Sequence, residues 1–575
     1  FYAVGRSATI LMREVDGFIQ LSSNGLSESS VGRQGMPPYN LSQKWLSGLP
    51  ALARPEATSM LVVGYGGGVA VEGVPPHVQD VDVIELEQMV IRANQAVAPL
   101  RGLDPLADPR IKLVINDARN AMTLTDKRYD IIVSQPSHPW TGGAAHLYTS
   151  EFLELSKTHL NDAGVFLQWI NSQFVDAALL KVLMATLVNQ FSYVELYQPE
   201  RQVLLFLASD APLDVWTGAR GAATAIRNHQ RHYRRMGLRT VEDAVAMMTL
   251  DAAGVRDFAK GAPLNTDNHN LLAFFSRSRA DGLTADTMLE LFESIDPLTN
   301  PHSDFHTNYA QDFALHHIAE QLLQGNFIQR TFKMAQATRE SDRRATIDAL
   351  GYDYSGDFDR AETTFNSALA DNPDNKAAQF GLLRLYLAAL AQGKIPPPIA
   401  ALANRQSGPD RRVLEGWVFG AAGAFDRLAS LDHELAEVSP TSLAYPIAVK
   451  LRVDWRVVFS QRSKDPVLAR EALEILDDLL ASYWNLDLYI LRSGCAFLAG
   501  DSHAFVESVA AAARQLRGRL DKLEQDNETI PADEAAQLRS RLDGMLARLS
   551  TPITESVRER ADAIAGEVRG VAARL

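Results

Sequence analysis

Three short apolar runs set the pattern of the first third of the chain. Leu61-Val62-Val63 ends in Gly64-Tyr65-Gly66-Gly67-Gly68, Val81-Asp82-Val83-Ile84 ends in Glu85, and Ile111-Lys112-Leu113-Val114-Ile115 ends in Asn116-Asp117. Runs of this length, closed by turn residues and separated by helical spacing, predict buried strands of a parallel sheet. Helices are predicted from Leu41 to Leu52, ending near Pro55, and from Glu87 to Val97. Tyr129 to Val133 predicts a fourth strand, followed by a helix from Ser150 to Leu160 with Ser150 as its cap. Asn161 to Gly164 reads as a turn into a strand over Val165–Ile170. A helix over Ala177–Phe191 then leads to an antiparallel pair, Tyr193–Leu196 and Val203–Ala208. Upstream, residues 1–35 alternate around Asp16-Gly17, a hairpin signal.

Beyond an expected linker from Pro297 to Tyr309, the period becomes helical almost throughout. Tyr352, Gly356, Ala361, Phe365, Ala368 and Pro373 fit the tetratricopeptide spacing, in which small residues let two helices pack closely. Glu471–Leu480 with Leu488–Ala499 predicts a second helix pair, and Lys394–Pro398 and Gln406–Arg411 interrupt the array. Residues 516–575 carry alternating charge at helical spacing around Ile530-Pro531, predicting two polar helices. The expected division is an N-terminal β-hairpin domain (1–50), a Rossmann-like α/β domain (51–285), an all-α helical-repeat domain (310–515) and C-terminal helices (516–575).

At 575 residues the chain exceeds one core, which supports several domains. A net charge of −14 disfavours nonspecific binding to nucleic acid and suits a cationic substrate. The one dense basic run, Arg227 to Arg235, reads as a solvated helix face or a contact with an acidic partner. The single cysteine, Cys495, excludes an intrachain disulfide and a cysteine-based zinc site, and its apolar neighbours place it in a core. His302-x-x-x-His306 lacks a third ligand, so no metal is expected. No apolar run approaches the length of a membrane helix.

In an open parallel sheet, ligands bind at the carboxyl ends of the strands. Gly64, Gly66 and Gly68 would let the backbone approach a ligand, Glu85 would accept from ribose hydroxyls, and Asp117 would take the adenine amine. A dinucleotide fingerprint would need glycine at position 69, which is Val69. The set therefore points to an adenosyl-sulfonium ligand, with NAD and an unliganded glycine turn as the alternatives.

The run Tyr129 to Trp140, with Leu147-Tyr148-Thr149-Ser150-Glu151-Phe152, resembles the spermidine synthase family. Asn24-Gly25, Asp108-Pro109-Arg110, Asp117-Ala118-Arg119, Gly164 to Trp169 and Thr266-Asp267-Asn268 extend the resemblance over residues 1–280. It is nearest to the synthase-like domain of fused major-facilitator/spermidine-synthase proteins. Those relatives place membrane helices before a start like this one, which implies the soluble part of a longer membrane protein. The resemblance implies S-adenosylmethionine, its decarboxylated form or methylthioadenosine as ligand, a small-molecule amine or other nucleophile as acceptor, and room for a homo-oligomer. It also implies a carboxylate at the end of strand four and another three residues later, to orient and deprotonate the amine. This chain has Gln135 and His138 there, and Gly67 where active synthases usually carry aspartate between the glycines. A glutamine orients by hydrogen bonding, and a histidine works as a base near neutrality. Gln135 and His138 are thus the candidate catalytic pair, with His138 as a purely structural loop residue the bland reading. Trp140 and Tyr148 are expected to cover a cationic group. Should another acid serve, Glu72, Glu151 and Asp176 are the candidates. The expected function is an aminopropyltransferase-like transferase with an altered acceptor. A methyltransferase, or a silent ligand-binding scaffold that meets a protein partner through its repeats, are the alternatives.

Overall fold

The computed structural model describes residues 1–575 except 40, 214, 217–219, 278–281, 392–405, 526, 527 and 552. The N-terminal segment is a four-stranded antiparallel meander, β1 (Tyr2–Val4), β2 (Thr9–Val15), β3 (Phe18–Ser23) and β4 (Leu26–Val31). Its turns are Asp16-Gly17 and Asn24-Gly25, all four at positive φ, as a tight hairpin turn of primed type requires. The predicted hairpin, β2 with β3, is therefore the middle one of three.

The large sheet comprises β5 (Ser59–Val63), β6 (Asp80–Glu85), β7 (Ile111–Ile115), β8 (Tyr129–Ser134), β9 (Leu160–Asn171), β10 (Tyr193–Glu200), β11 (Val203–Ser209) and β12 (Met248–Leu250). Their order is β12-β10-β11-β9-β8-β5-β6-β7. β9, β8, β5, β6 and β7 run parallel, and β11 is antiparallel to both its neighbours. Strand order reverses at β5 and β8, so the crevice beyond their carboxyl ends is the natural ligand position. Helices α1 (Leu41–Ala53), α2 (Val69–Glu72), α3 (Gln88–Val97), α4 (Ala118–Thr123), α5 (Ser150–Thr158) and α6 (Ala177–Gln190) complete this domain. The fold is the expected α/β Rossmann-like one, with a small N-terminal β-domain and an all-α C-terminal region.

Local differences have physical causes. β9 begins at Leu160, and the predicted turn lies inside it with Ala163 at φ 56°. Thr149 rather than Ser150 precedes α5, and its hydroxyl donates to Asp267 instead of capping the helix. β12 is too short for any periodicity to reveal. Residues 297–309 are no exposed linker: Leu298 and Phe305 are fully buried, and His306 bonds the Leu298 carbonyl at 2.7 Å.

The C-terminal region is a succession of helices packed on their neighbours, including Leu315–Gln324, Ile328–Ala337, Ser341–Tyr354, Phe358–Asp371, Pro466–Leu480, Leu486–Ala499 and Ser502–Gln525. Ala361, Phe365 and Ala368 are buried in the pair over 341–371, at the positions the spacing selected. The predicted interruption at Lys394–Pro398 lies outside the described residues, while Gly408 already begins the helix Gly408–Ala421. Three helices, not two polar ones, end the chain: Ser502–Gln525, Ala532–Leu549 and Arg558–Arg574. Among the described residues no helix is long and apolar enough to cross a membrane. Cys495 is buried, and burial pushes its thiol up to about 12.

One apolar cluster runs from the N-terminal sheet across the α1 and α3 face of the large sheet into the helical array; a second fills the α5 and α6 face. Arginines mark where the array meets the rest. Arg330 pairs with Asp296 and donates to the carbonyls of Ala246 and Met248. Arg492 donates to the carbonyl of Gly35, and Arg560 pairs with Glu14 of β2. The basic run finds its acids within the chain, Arg231 on Glu474 and Arg234 on Asp478.

The loop between β8 and α5 is fixed from behind by Asp267. Arg119 of α4 donates to both its oxygens at 2.8 and 2.7 Å, and Thr149 adds a bond at 2.8 Å. The Arg119 bond, helped by Thr149 and opposed by partial burial, draws this carboxyl down from 3.8 to about 2. A depressed acid stabilises the fold above its unfolded value and loses that contribution as pH falls towards the folded one. Asp267→Asn should therefore cost about 1–2 kcal/mol at neutral pH, discounted for partial exposure. Urea unfolding should show the gap between protein and variant closing as pH falls from 3.8 towards about 2. A gap that persists in acid would show that the ion pair is not its source.

Candidate functional site

The glycine turn after β5 is built by its neighbours. Glu85, 8% exposed at the end of β6, accepts from the amides of Tyr65 (2.9 Å), Gly66 (3.4 Å) and Glu87 (2.9 Å). Asn94 of α3 donates to the Gly66 carbonyl at 2.8 Å. Burial pushes the Glu85 carboxyl above its usual range, against those amide bonds. Gly64 and Gly66, at φ 89° and 53°, face a cavity, whereas Gly68 at φ 75° precedes α2 and packs under the Tyr65 hydroxyl.

That cavity, of about 270 Å³, lies beyond the ends of β5, β6 and β7. Glu85, Asp117, Gly64, Gly66 and Gln135 all line it, as do Ser7 and Ala8 from the N-terminal domain. Asp117 also caps α4, accepting from Asn120. Glu87 closes the near wall: its carboxylate accepts from Ser7 N, Ser7 Oγ and Ala8 N, stitching the β1–β2 loop to the β6 end.

A second cavity, of about 300 Å³, opens on the other side of Gln135. His138, Trp169, Phe174, Gln43, Asn171 and Glu200 contribute to it. The two cavities share Glu28, Gly66, Gln135 and Pro136. Gln135 donates to the Gly64 carbonyl at 2.6 Å, so it braces the partition between them. His138 is buried against Trp140 and Phe174, with ring centres 5.0 and 4.8 Å away.

Glu28 is the residue that strand-end reasoning missed. It comes from β4, outside the α/β domain, and accepts from Ser137 Oγ at 2.6 Å. Ser137 Oγ lies 3.2 Å from His138 Nδ1, and His138 Nδ1 lies 3.7 Å from Glu28. A carboxylate, a hydroxyl and an imidazole thus meet at the shared wall. Glu72, Glu151 and Asp176 are engaged elsewhere: Glu72 pairs with Arg101 and Lys44, Glu151 accepts from the Asp267 amide, and Asp176 caps α6. Trp140 and Tyr148 line neither cavity. Tyr148 is fully buried with its hydroxyl on the Ser137 carbonyl, and Trp140 packs on His138, so both support the loop rather than cover a ligand.

Residues 40–199, which contain this crevice, match the family described as the spermine/spermidine synthase domain. Over these residues the chain is similar to a spermidine synthase domain. Curated relatives include the polyamine aminopropyltransferase of Serratia proteamaculans (strain 568), 32% identical over 120 residues, 20% of this chain and 42% of the relative. That of Escherichia fergusonii is 31% identical over 152 residues, 26% of this chain and 52% of the relative. The chain thus spans about half the length of the curated relatives it matches. Among solved structures, a spermidine synthase in complex with the transition-state analogue AdoDATO aligns at TM-score 0.36 and 19% identity, over 45% of this chain and 87% of that one. Spermidine synthase from Thermotoga maritima aligns at TM-score 0.34 and 19% identity, over 45% and 86%.

The glycine turn leaves little room for a side chain at position 67. A Cβ at Gly67 would stand 2.5 Å from Ser29 Oγ and 2.8 Å from Val31 Cγ2, because β4 lies directly on the turn. Gly67→Asp should destabilise the protein by about 1–3 kcal/mol through overpacking. Thermal or urea unfolding checks this, and an equally stable variant would show that β4 yields without cost.

Proposed function

We propose that this chain transfers an aminopropyl group from decarboxylated S-adenosylmethionine to a small amine, with the donor in the first cavity and the amine in the second. The observation that carries this reading is the joined pair of cavities whose walls include Glu28, Glu85, Glu87, Asp117 and Glu200 and, among the described residues, no lysine or arginine. A cationic donor and a cationic acceptor both suit such walls. S-adenosylmethionine itself carries a carboxylate, for which these walls offer no cation, so methyl transfer fits less well. Glu85 and Asp117 hold ribose and adenine, while Gly64 and Gly66 admit the sulfonium arm.

In the reaction the amine nitrogen attacks the carbon beside sulfur, the carbon–sulfur bond breaks, and its electron pair leaves with methylthioadenosine. The new ammonium then gives up a proton. The leaving group is already good, so the protein's task is alignment and keeping the attacking amine neutral, which at about pH 10 it would be unaided. Glu28 faces both cavities and takes the part of the absent strand-end carboxylates, with Ser137 and His138 relaying the proton away. Gln135, held on the Gly64 carbonyl, orients rather than accepts. The altered acid placement, with Trp169 and Phe174 beside it, selects an acceptor shaped differently from that of the carboxylate-bearing synthases.

Glu28→Gln keeps the Ser137 bond but loses the charge, and should lower transfer about 10²-fold or more, with methylthioadenosine affinity nearly unchanged. Product formation from the decarboxylated donor and a panel of di- and polyamines measures this; undiminished transfer would remove Glu28 from the chemistry. Glu85→Ala should weaken methylthioadenosine binding by about 1–3 kcal/mol in calorimetry, through lost hydrogen bonds and a loosened glycine turn. Unchanged affinity in a folded variant would place the ligand elsewhere.

A further inference from the structure

The second cavity is lined by hydrogen-bond donors as well as by acids. Trp169 and Asn171 stand two residues apart on β9, so their side chains share one face, and Gln43 comes from α1. The carbonyl oxygens of both amide side chains are already engaged. Asn171 Oδ1 accepts from the Gln173 amide at 2.9 Å, and Gln43 Oε1 accepts from Ser29 Oγ at 3.3 Å. Asn171 Nδ2, Gln43 Nε2 and the indole Nε1 of Trp169 are left without a protein partner among the described residues. None of the three is closed off from solvent. Trp169 is held by its ring contact with Phe174, 6.1 Å between centres, and Phe174 in turn packs on His138. The donor wall is therefore continuous with the loop that carries Ser137 and His138.

An ammonium brings donors only. A plain diamine seated here would strip water from three N–H groups and give them nothing in return, which weakens binding. A group with lone pairs answers them. A carboxylate is the wrong such group, because Glu28 and Glu200 line the same cavity and, among the described residues, no lysine or arginine does. A hydroxyl suits both kinds of lining group. Its oxygen accepts from the N–H groups, and its own proton goes to an oxygen such as Ser42 Oγ or the Glu200 carboxylate.

We propose that the acceptor is a hydroxylated amine, an amino alcohol or amino sugar, with its nitrogen at Glu28 and its hydroxyls on Trp169, Asn171 and Gln43. This names the acceptor of the transfer reaction proposed above and rests on that reading. The nitrogen forms its new bond to the aminopropyl carbon as the carbon–sulfur bond breaks. Methylthioadenosine leaves with the electron pair, and the proton of the new ammonium passes to Glu28. The hydroxyls are bound and unchanged. A hydroxyl near the amine also draws electrons from the nitrogen, so a larger share of the acceptor arrives neutral.

Initial rates with the decarboxylated donor and matched acceptors test this: putrescine against hydroxyputrescine, and diaminopropane against diaminopropanol. In each pair kcat/KM should favour the hydroxylated member at least about tenfold. Lower basicity alone would favour the same member, so two variants separate the causes. Trp169→Phe removes the indole N–H and keeps the ring on Phe174. Asn171→Asp keeps the bond from the Gln173 amide and exchanges a donor for an acceptor. Each should shrink the preference to about threefold or less, whereas an effect of basicity survives both. If one variant fails to fold by circular dichroism, the other decides, and Gln43→Glu, which keeps the Ser29 bond, replaces both if neither folds. Equal or better use of the plain diamines, or a preference that persists in the folded variants, overturns this inference and leaves the transfer reaction standing. No product from any of the four amines overturns the transfer reaction, and this inference with it.

Discussion

The rest of the site depends on the contact between β4 and the glycine turn. With no side chain at Gly67, Ser29 and Val31 lie against the turn at a separation that no Cβ would tolerate. That approach carries Glu28 to the partition between the cavities and sets both their openings. The space that a side chain at position 67 would fill is taken by the N-terminal sheet. The same closeness that fills the space at position 67 brings the Glu28 carboxylate to the wall of both cavities.

Such a contact is only as good as the clamp behind it, and two sets of interactions supply one. Glu87 fastens the β1–β2 loop to the end of β6 through three bonds. From outside, the helical array reaches around to hold the same domain, with Arg492 on the carbonyl of Gly35 and Arg560 on Glu14. Arg492 is buried, and its guanidinium is answered by Asp477 and by Ser508, so its charge is compensated rather than stranded. Packing of the array thereby bears on the geometry of a site to which it contributes no side chain.

Much of the α/β domain was legible from the chain because each strand advertises itself twice, by an apolar run and by the residue that ends it. Glu85 and Asp117 follow such runs, and both face the first cavity. The helix pair over 341–371 was equally plain, since Ala361, Phe365 and Ala368 recur at the spacing of one buried face. β12 was not, being three residues long, and neither was the burial of residues 297–309, whose polar sequence hides a fully buried Phe305. Trp140 and Tyr148 drew attention as aromatics near a loop motif. Whether an aromatic covers a ligand or a neighbouring loop is a matter of which side it faces, and sequence spacing in a loop does not encode that.

The sequence by itself determined what is local or periodic. It placed the glycines that can take positive φ, the acids that end strands, the turns of the N-terminal meander and the alternation that makes the sheet. Tertiary structure alone decided what meets across long separations. Glu28 and Ser137 are joined at 2.6 Å though 109 residues apart, and no pattern in either segment announces the other. Likewise only the assembled chain brings Arg330 of the helical array to the Met248 carbonyl of β12. Hydrogen-bond partners across such distances follow from how whole elements pack, and packing is a property of the entire chain.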